Sequence, residues 1–390
     1  MFKLIQKETN RYATQQINKK KQEGSLKPKS VFAQWNSFIA RNKKILFSNH
    51  THERVMQVIC AGLLEFASDY PYPYAASVGM SRDRFLALLT MLHLNNNDAK
   101  APWGQPGYDP LFKIRPIIDT LVTKFQDVYT TEEQLTIDEA ICPFRGRIFF
   151  HVYIKGKPHK YGIEVFELCE AKSGYIYNLE VYTGAHPMKS EHNTAFSVVD
   201  RLCDKIKGKG HCVYMDRWFS SSKIFDHLWS CKTKAVGTVM SNRKEMPKQA
   251  FSSKLKKGEK ISRQCDHLLA IKWKDICDVF FLTTAHEDVL VEVPLSRGAH
   301  PKIKPTAVLA YNKYKTGVDR SDQMLSYYSF ERKMIKWWKK LFFHLFDLAV
   351  VNAHILHNKT SSKKMSLEIF YEKVAEGLLA SAYMEIQVQG

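Results

Sequence analysis

The sequence predicts an α/β protein in which a mixed sheet is preceded and followed by helical segments. Residues 1–130 carry apolar side chains at helical spacing, as at Phe85 and Leu88. At Gln134 this pattern gives way to short runs with strand-like alternation, and helical spacing returns after residue 328. An apolar share of 45% in 390 residues is enough for a large core and for two or three domains.

The order of the elements predicted after residue 130 points to one fold. Strands are predicted at 135–141, 148–154, 161–170, 175–183, 211–215 and 235–240. Helices are predicted at 193–207 and 220–229. Three antiparallel strands, a helix, a strand, a helix and a strand form the order of an RNase H-like core with a mixed five-stranded sheet. In that fold one acid lies on the first strand and a second follows the fourth.

The charge of the chain predicts a polyanionic partner. The 58 Lys and Arg exceed the 39 Asp and Glu by 19, and the first 44 residues hold eleven bases against two acids. Such an excess indicates nucleic acid as the partner, and a basic run of this kind also serves as a nuclear address. No apolar run is long enough for a membrane span, and the charged start is unlike a secretory signal. We therefore expect a nuclear protein with no membrane partner.

Four aspartates are the candidate chemical groups. Asp138 lies inside the first predicted strand, where a carboxylate is either a solvated residue or one held for a purpose. Asp216 directly follows a predicted buried strand, and Asp319 and Asp322 share one face of a predicted helix. Carboxylates that converge from separate elements can hold two Mg²⁺ ions, with Mn²⁺ as a substitute, for phosphodiester cleavage. No small-molecule substrate is indicated.

Basic and aromatic residues near these acids are candidate DNA contacts. Their alternatives are surface solvation for the bases and packing beside the site for the tryptophan. The candidates are Arg145, Arg147, Lys157, Lys160, Trp218, Arg243 and Lys244.

Several motifs together resemble the piggyBac family of DDE-type DNA transposases. They occur in the family's order over most of the chain: Thr136–Glu139 with Pro143–Arg147, Lys157–Ile163, Met215–Ser221, Ser241–Pro247 and Gly317–Met324. The resemblance implies that Asp138, Asp216 and Asp319 form a metal-binding triad, with Asp322 as an additional acid. It also implies hydroxyl-driven cutting and joining of transposon ends at TTAA targets, with no covalent protein–DNA intermediate, by a homodimer on double-stranded DNA.

The same resemblance, together with the charge pattern, divides the chain into six segments. These are a basic N-terminal arm (1–44), a helical DNA-binding and dimerisation domain in two parts (45–130 and 329–390), a catalytic core in two parts (131–240 and 309–328) and an insertion domain (241–308). The insertion opens with a Lys-rich stretch.

Three functions remain open from the sequence. The first is an active transposase. The second is a domesticated descendant that binds DNA or chromatin without catalysis, because the cysteine-rich, end-reading domain usual in the family is absent from these residues and is either lost or part of a longer product. The third, a glycosidase-like hydrolase with paired carboxylates, fits poorly with the net charge of +19 and the helix-borne acid pair.

Overall fold

The computed structural model describes residues 1–25, 82–157, 159–184, 194–293, 302–328 and 334–387. The chain divides into two compact units. Met1–Leu121 and Leu325–Gly390 form one, here called the helical unit, and Val122–Met324 form the other, the sheet unit. Segments 31–39 and 54–66, whose apolar residues predict helices, lie outside the described residues.

The described start of the helical unit, within the segment predicted as a basic arm, is a helix. Helix α1 spans Phe2–Gln22, and its Ala13 and Ile17 pack against Ala87 and Met91 of helix α2, Arg82–Met91. Ala13 and Ile17 are four residues apart and therefore lie on one face of α1. Packing of this apolar face stabilises a helix in a segment rich in charged residues. Helix α3, Arg115–Asp127, follows, and the boundary between the two units falls within it.

Two long helices complete the helical unit. Helix α8 spans Trp337–Thr360 and helix α9 spans Leu367–Gln387. The Nζ of Lys339 donates to the carbonyl oxygens of Leu89 (2.6 Å) and Thr90 (2.8 Å). Both residues lie in the last turn of α2, where the carbonyl groups have no hydrogen-bond partner within the helix. Burial lowers the pKa of Lys339 to about 8. Among the described helices, none is long and apolar enough to cross a membrane.

The sheet unit is built on one large mixed sheet. Its strands are β1 (Gln134–Pro143), β2 (Val152–Tyr153), β3 (Tyr161–Glu170), β4 (Ile176–Val181), β5 (Cys212–Met215), β6 (Lys234–Thr238), β7 (Lys260–Cys265), β8 (Leu268–Lys274) and β9 (Asp278–Thr283). The order is β2-β3-β1-β5-β6-β9-β8-β7, with β4 also paired to β3. Strand β1 is antiparallel to β3 and parallel to β5, which is parallel to β6.

The described sheet has nine strands, and three of them, β7–β9, come from the segment predicted as an insertion. Strands β7, β8 and β9 form an antiparallel set, and β9 pairs with the free edge of β6. Strands β7–β9 of segment 241–308 therefore extend the main sheet, because the open edge of β6 offers unpaired backbone groups. Two further strands, β10 (Leu290–Val293) and β11 (Lys302–Pro305), pair only with each other among the described strands.

Helices cover the two faces of the sheet. Helices α4 (Ala195–Leu202) and α5 (Ser222–Ser230) pack on one face over a core that includes Leu135, Ile137, Phe166, Leu168, Val213 and Met215. Helix α6 (Thr306–Tyr314) packs on the other face, where Ala307, Val308 and Tyr311 meet Tyr214 and Val236. Helix α7, Gly317–Tyr327, follows α6 directly. The sequence predicted α7 but not the separate α6.

Candidate active site

Strand alternation decides which face of the sheet carries Asp138. Leu135 and Ile137 belong to the core under α4 and α5. Because successive side chains of a strand point to opposite faces, Thr136 and Asp138 face the other side, which α6 covers. The carboxylate thus lies in a mostly buried strand on the α6 face, rather than on a solvated outer surface.

The register of the parallel strands places Asp216 beside Asp138. Ile137 pairs with Met215, so the next residues on the two strands are neighbours across a strand spacing of about 4.8 Å. The amide of Trp218 donates to Asp216 Oδ1 over 2.7 Å, and the amide of Ser220 donates to its carbonyl oxygen over 3.1 Å. This tight turn fixes the residue at the end of β5.

Helix α7 brings the remaining two aspartates to the same face. The Oγ1 of Thr136 donates to the carbonyl oxygen of Tyr314 over 2.5 Å, which ties β1 to the end of α6. A Cβ on Gly317 would lie 3.0 Å from that Oγ1, so α7 begins in close contact with β1. Asp319 and Asp322 follow within the next two turns of α7 and share one helix face.

Burial and neighbouring acids raise the pKa values of Asp138, Asp216 and Asp322. Burial, followed by the neighbouring Glu139, raises the pKa of Asp138 to about 8. Burial, followed by the charges of Asp319 and Asp138, raises the pKa of Asp322 to about 6. Burial and the charge of Asp138 also raise the pKa of Asp216. Because these acids affect one another's pKa, the carboxylates of β1, of α7 and of the turn after β5 are close enough to interact electrostatically.

Lys157 supplies positive charge to this cluster. Its Nζ donates to the carbonyl oxygen of Glu139 over 2.6 Å. Although burial opposes the effect, Asp138 and Asp322 raise the pKa of Lys157, and the lysine lowers theirs in return. The sequence suggested Lys157 as a phosphate contact, whereas the structure places it half-buried among the acids.

The donor chemistry of the site fits a divalent cation. Mg²⁺ prefers carboxylate oxygens, and a cation would offset both the burial and the mutual repulsion that raise these pKa values. Among the described residues, no three Asp, Glu, His or Cys side chains are already arranged to hold one ion. The acids therefore have the donor chemistry for a divalent cation and share one face of the sheet.

Glu167 is a fifth acid that sequence reasoning missed. It lies on β3 directly opposite Asp138 on β1, and its side chain is fully buried. Burial, followed by the charge of Asp322, raises the pKa of Glu167 to about 8. The available signal was a glutamate with apolar neighbours on both sides, one of three glutamates on β3, but its partner could be named only once the β1–β3 register was known.

The other candidate DNA contacts divide into exposed and anchored residues. Arg145, Arg147, Lys160 and Lys244 are exposed. Arg243 is half-buried, and its Nη2 donates to the carbonyl oxygen of Trp218 over 2.7 Å, in the turn after Asp216. Arg243 thus supports that turn.

Trp218 packs beside the site and keeps part of its ring open to solvent. It stacks on Phe166, with ring centroids 5.4 Å apart, and remains 37% exposed. Packing against the core and contact with a base are both compatible with this position.

Comparisons with known proteins all indicate relatedness to transposases. The family model described as Transposase IS4 matches residues 1–354. Human PiggyBac transposable element-derived protein 3 is 27% identical over an alignment of 317 residues that covers 76% of this chain and 52% of that protein. Human PiggyBac transposable element-derived protein 2 is 26% identical over an alignment of 293 residues that covers 71% of this chain and 48% of that protein. The chain thus spans about half the length of these curated relatives.

A solved structure shares the fold. It is the cryo-EM structure of a piggyBac transposase synaptic complex with hairpin DNA, with a TM-score of 0.75 and 25% identity. The match covers 87% of this chain and 73% of that chain. It confirms a mixed α/β fold with a large sheet and flanking helices.

Proposed function

The chain belongs to the piggyBac-type transposases, and we propose that it cuts and joins double-stranded DNA by metal-dependent phosphodiester hydrolysis and transesterification. One observation carries the proposal. Asp138, Asp216, Asp319 and Asp322 reach one face of an α/β sheet from three separate elements. We infer that the sheet β4-β3-β1-β5-β6 is the core of an RNase H-like domain to which β7–β9 are added.

The four aspartates are the residues that would hold two Mg²⁺ ions, with Mn²⁺ as a substitute. When bound, such ions activate an attacking hydroxyl and stabilise the leaving oxygen of a phosphodiester. The chain's own contribution is to fix the carboxylates on a rigid sheet and a packed helix, because small displacements of such groups reduce catalysis strongly. Lys157 balances part of the negative charge before the substrate arrives.

The DNA partner is inferred from charge and from the relatives. The net charge of +19 favours a polyanion, and the exposed Arg145 and Arg147 follow the strand that carries Asp138. The solved piggyBac transposase is bound to hairpin DNA in a synaptic complex. By analogy, we propose transposon ends and TTAA targets as substrates, a homodimer that joins two ends in one event, and a nuclear location.

A cleavage and strand-transfer assay tests this function. An oligonucleotide duplex with a TTAA-flanked end and a free 3′-OH is incubated with a TTAA-containing supercoiled plasmid, with Mg²⁺, Mn²⁺ or EDTA. We expect products from the wild type with metal only, and none from Asp216→Asn. Asp204→Asn, an exposed acid outside the site, is the matched control and should retain activity. Equal activity of Asp216→Asn and the wild type would exclude the mechanism.

A second candidate function is DNA binding without catalysis. The curated human relatives are described as derived from transposable elements. In that case the same assay gives a salt-dependent shift of the DNA in a gel and no product with either metal. Metal-dependent strand transfer would exclude this alternative.

A further inference from the structure

Glu167 is a buried acid on the sheet that the proposed mechanism does not use. It lies directly opposite Asp138 in the antiparallel β1–β3 pair, so their Cβ atoms are about 4.5–5.5 Å apart on the same face. Asp216 lies on the other side of Asp138 across the parallel β1–β5 pair. Three acids therefore form a row across β3, β1 and the residue that directly follows β5, and Glu167 is its buried end.

The environment of Glu167 does not satisfy its carboxylate. Its side chain is 0% exposed, and its Oε1 has no hydrogen-bond partner among the described residues. Its Oε2 accepts a hydrogen bond from the thiol of Cys169, whose Sγ is 3.7 Å away, and a thiol is a weak donor. Buried carboxylates are normally paired with a cation or with several donors, so a free oxygen here calls for an explanation.

The neighbouring Glu170 shows how a structural glutamate on this strand is satisfied. It is also 0% exposed, but its carboxylate accepts hydrogen bonds from Tyr129 Oη (2.6 Å), the amide of Glu132 (2.9 Å) and Ser173 Oγ (2.7 Å). Glu170 stabilises the fold through these bonds. Glu167, three residues earlier and on the opposite face, has an unpartnered oxygen beside Asp138.

We infer that Glu167 is an additional carboxylate of the metal site, which binds the divalent cation together with Asp138 and Asp322. The inference rests on the proposed function, because it adds a ligand to that site. The unpartnered oxygen belongs to a side chain on the same face of the sheet as Asp138, in the row of acids that runs from Glu167 through Asp138 to Asp216. Hard oxygen donors of this kind suit Mg²⁺ or Mn²⁺. A divalent cation would satisfy the oxygen that the protein leaves free.

Direct measurement of Mn²⁺ binding to the full chain, without DNA, tests the assignment. Calorimetry and Mn²⁺ electron paramagnetic resonance are applied to the wild type, Glu167→Gln, Asp138→Asn and Glu164→Gln. The last is the matched control, since Glu164 is a partly buried glutamate of β3 on the opposite face. We expect Glu167→Gln to weaken Mn²⁺ affinity by about tenfold or more and Glu164→Gln to leave it unchanged.

The Mn²⁺-induced rise in melting temperature is a second readout, because an ion that binds only the folded state stabilises it. This rise should be smaller in Glu167→Gln than in the wild type. Glu167→Met, an unbranched apolar side chain of similar length, should fold in metal-free buffer and show the same weak response. Failure of both variants to fold without metal would overturn the inference, because Glu167 would then have a structural role.

The outcomes separate this inference from the proposed function. If Asp138→Asn loses Mn²⁺ binding while Glu167→Gln binds as the wild type does, Glu167 is not a ligand and the proposed function stands. If the wild type itself does not bind Mn²⁺, both the metal site and the role of Glu167 are excluded. Weak binding by Glu167→Gln, with the Glu164→Gln control intact, supports the assignment.

Discussion

The hydroxyl of Thr136 donates to the carbonyl oxygen of Tyr314 and so joins the first strand of the sheet to the end of helix α6. Thr136 lies two residues before Asp138, and Tyr314 lies five residues before Asp319. The bond therefore connects the two chain segments that bring acids to the site from opposite ends of the sheet unit. It holds α7 in place relative to β1.

Replacement of Thr136 by valine keeps the shape of the side chain and removes this bond. We expect Thr136→Val to lower the free energy of unfolding by about 1 kcal/mol, the usual effect of one lost hydrogen bond. Strand transfer should fall more than this loss of stability explains, because the acids of α7 are no longer held against Asp138. Thr136→Ser keeps the hydroxyl and should restore activity. Chemical denaturation and the strand-transfer assay measure the two effects, and full activity of Thr136→Val would contradict the coupling.

A side chain on Gly317 would make unusually close contacts with β1 and with Ala171. A Cβ there would lie 3.0 Å from Thr136 Oγ1 and 3.1 Å from Ala171 Cα. We expect Gly317→Ala to displace the start of α7, to lower the free energy of unfolding by about 1–3 kcal/mol and to abolish cleavage. Gly377→Ala is the control, since a Cβ on Gly377 would meet no atom within 4 Å and alanine favours a helix. Thermal melts that show equal stability for both variants would refute the close contact.

The raised pKa values of Asp138 and Asp322 predict that the metal-free protein loses stability as the pH rises. The folded-state pKa of Asp138 is about 8 and that of Asp322 about 6, both above the ordinary value of 3.8. The folded chain then binds more protons than the unfolded chain, so these groups stabilise it at low pH. That contribution is lost as the pH rises from 3.8 toward about 6 for Asp322 and about 8 for Asp138.

Melting temperatures in EDTA between about pH 5 and pH 9 test this dependence. Asp138→Asn should flatten the decline, because asparagine does not titrate. Added Mg²⁺ should stabilise the wild type increasingly toward high pH, since metal binding requires deprotonated carboxylates. A metal-free melting temperature that rises through neutral pH in the wild type would be the opposite of the expected result.

Lys157 and Lys160 should have different roles although they are close in sequence. Lys157 is half-buried, bonded to Glu139 and adjacent to the acids, whereas Lys160 is exposed. Lys157→Met should destabilise the metal-free protein at high pH, where the acids are charged. It should leave the salt dependence of DNA binding nearly unchanged.

Lys160→Met should do the reverse and reduce the slope of log affinity against log salt by about one unit, as expected for one lost phosphate contact. Fluorescence anisotropy with labelled DNA at several salt concentrations, together with thermal melts, separates the two roles. A reduced salt slope in Lys157→Met would instead identify Lys157 as a phosphate contact.

The order of elements in the sheet unit was largely predictable. Strands β1, β3, β5 and β6 and helices α4 and α5 lie where alternation and helical spacing place them, because each pattern is a local property of the chain. Strand β2 is shorter than predicted, with only Val152–Tyr153 paired. The sequence did not predict that β7–β9 join the sheet. Which segment pairs with the free edge of β6 depends on contacts between residues far apart in the sequence.

The sequence alone determined which acids are candidates for the chemistry and where each lies along its strand or helix. Asp138, Asp216, Asp319 and Asp322 could be named because a carboxylate in or just after an apolar run is visible locally. Only the tertiary structure decided which other charges share their environment. Glu167 joins the row, and Lys157 lies among the acids, because strand register and burial depend on pairing between distant segments.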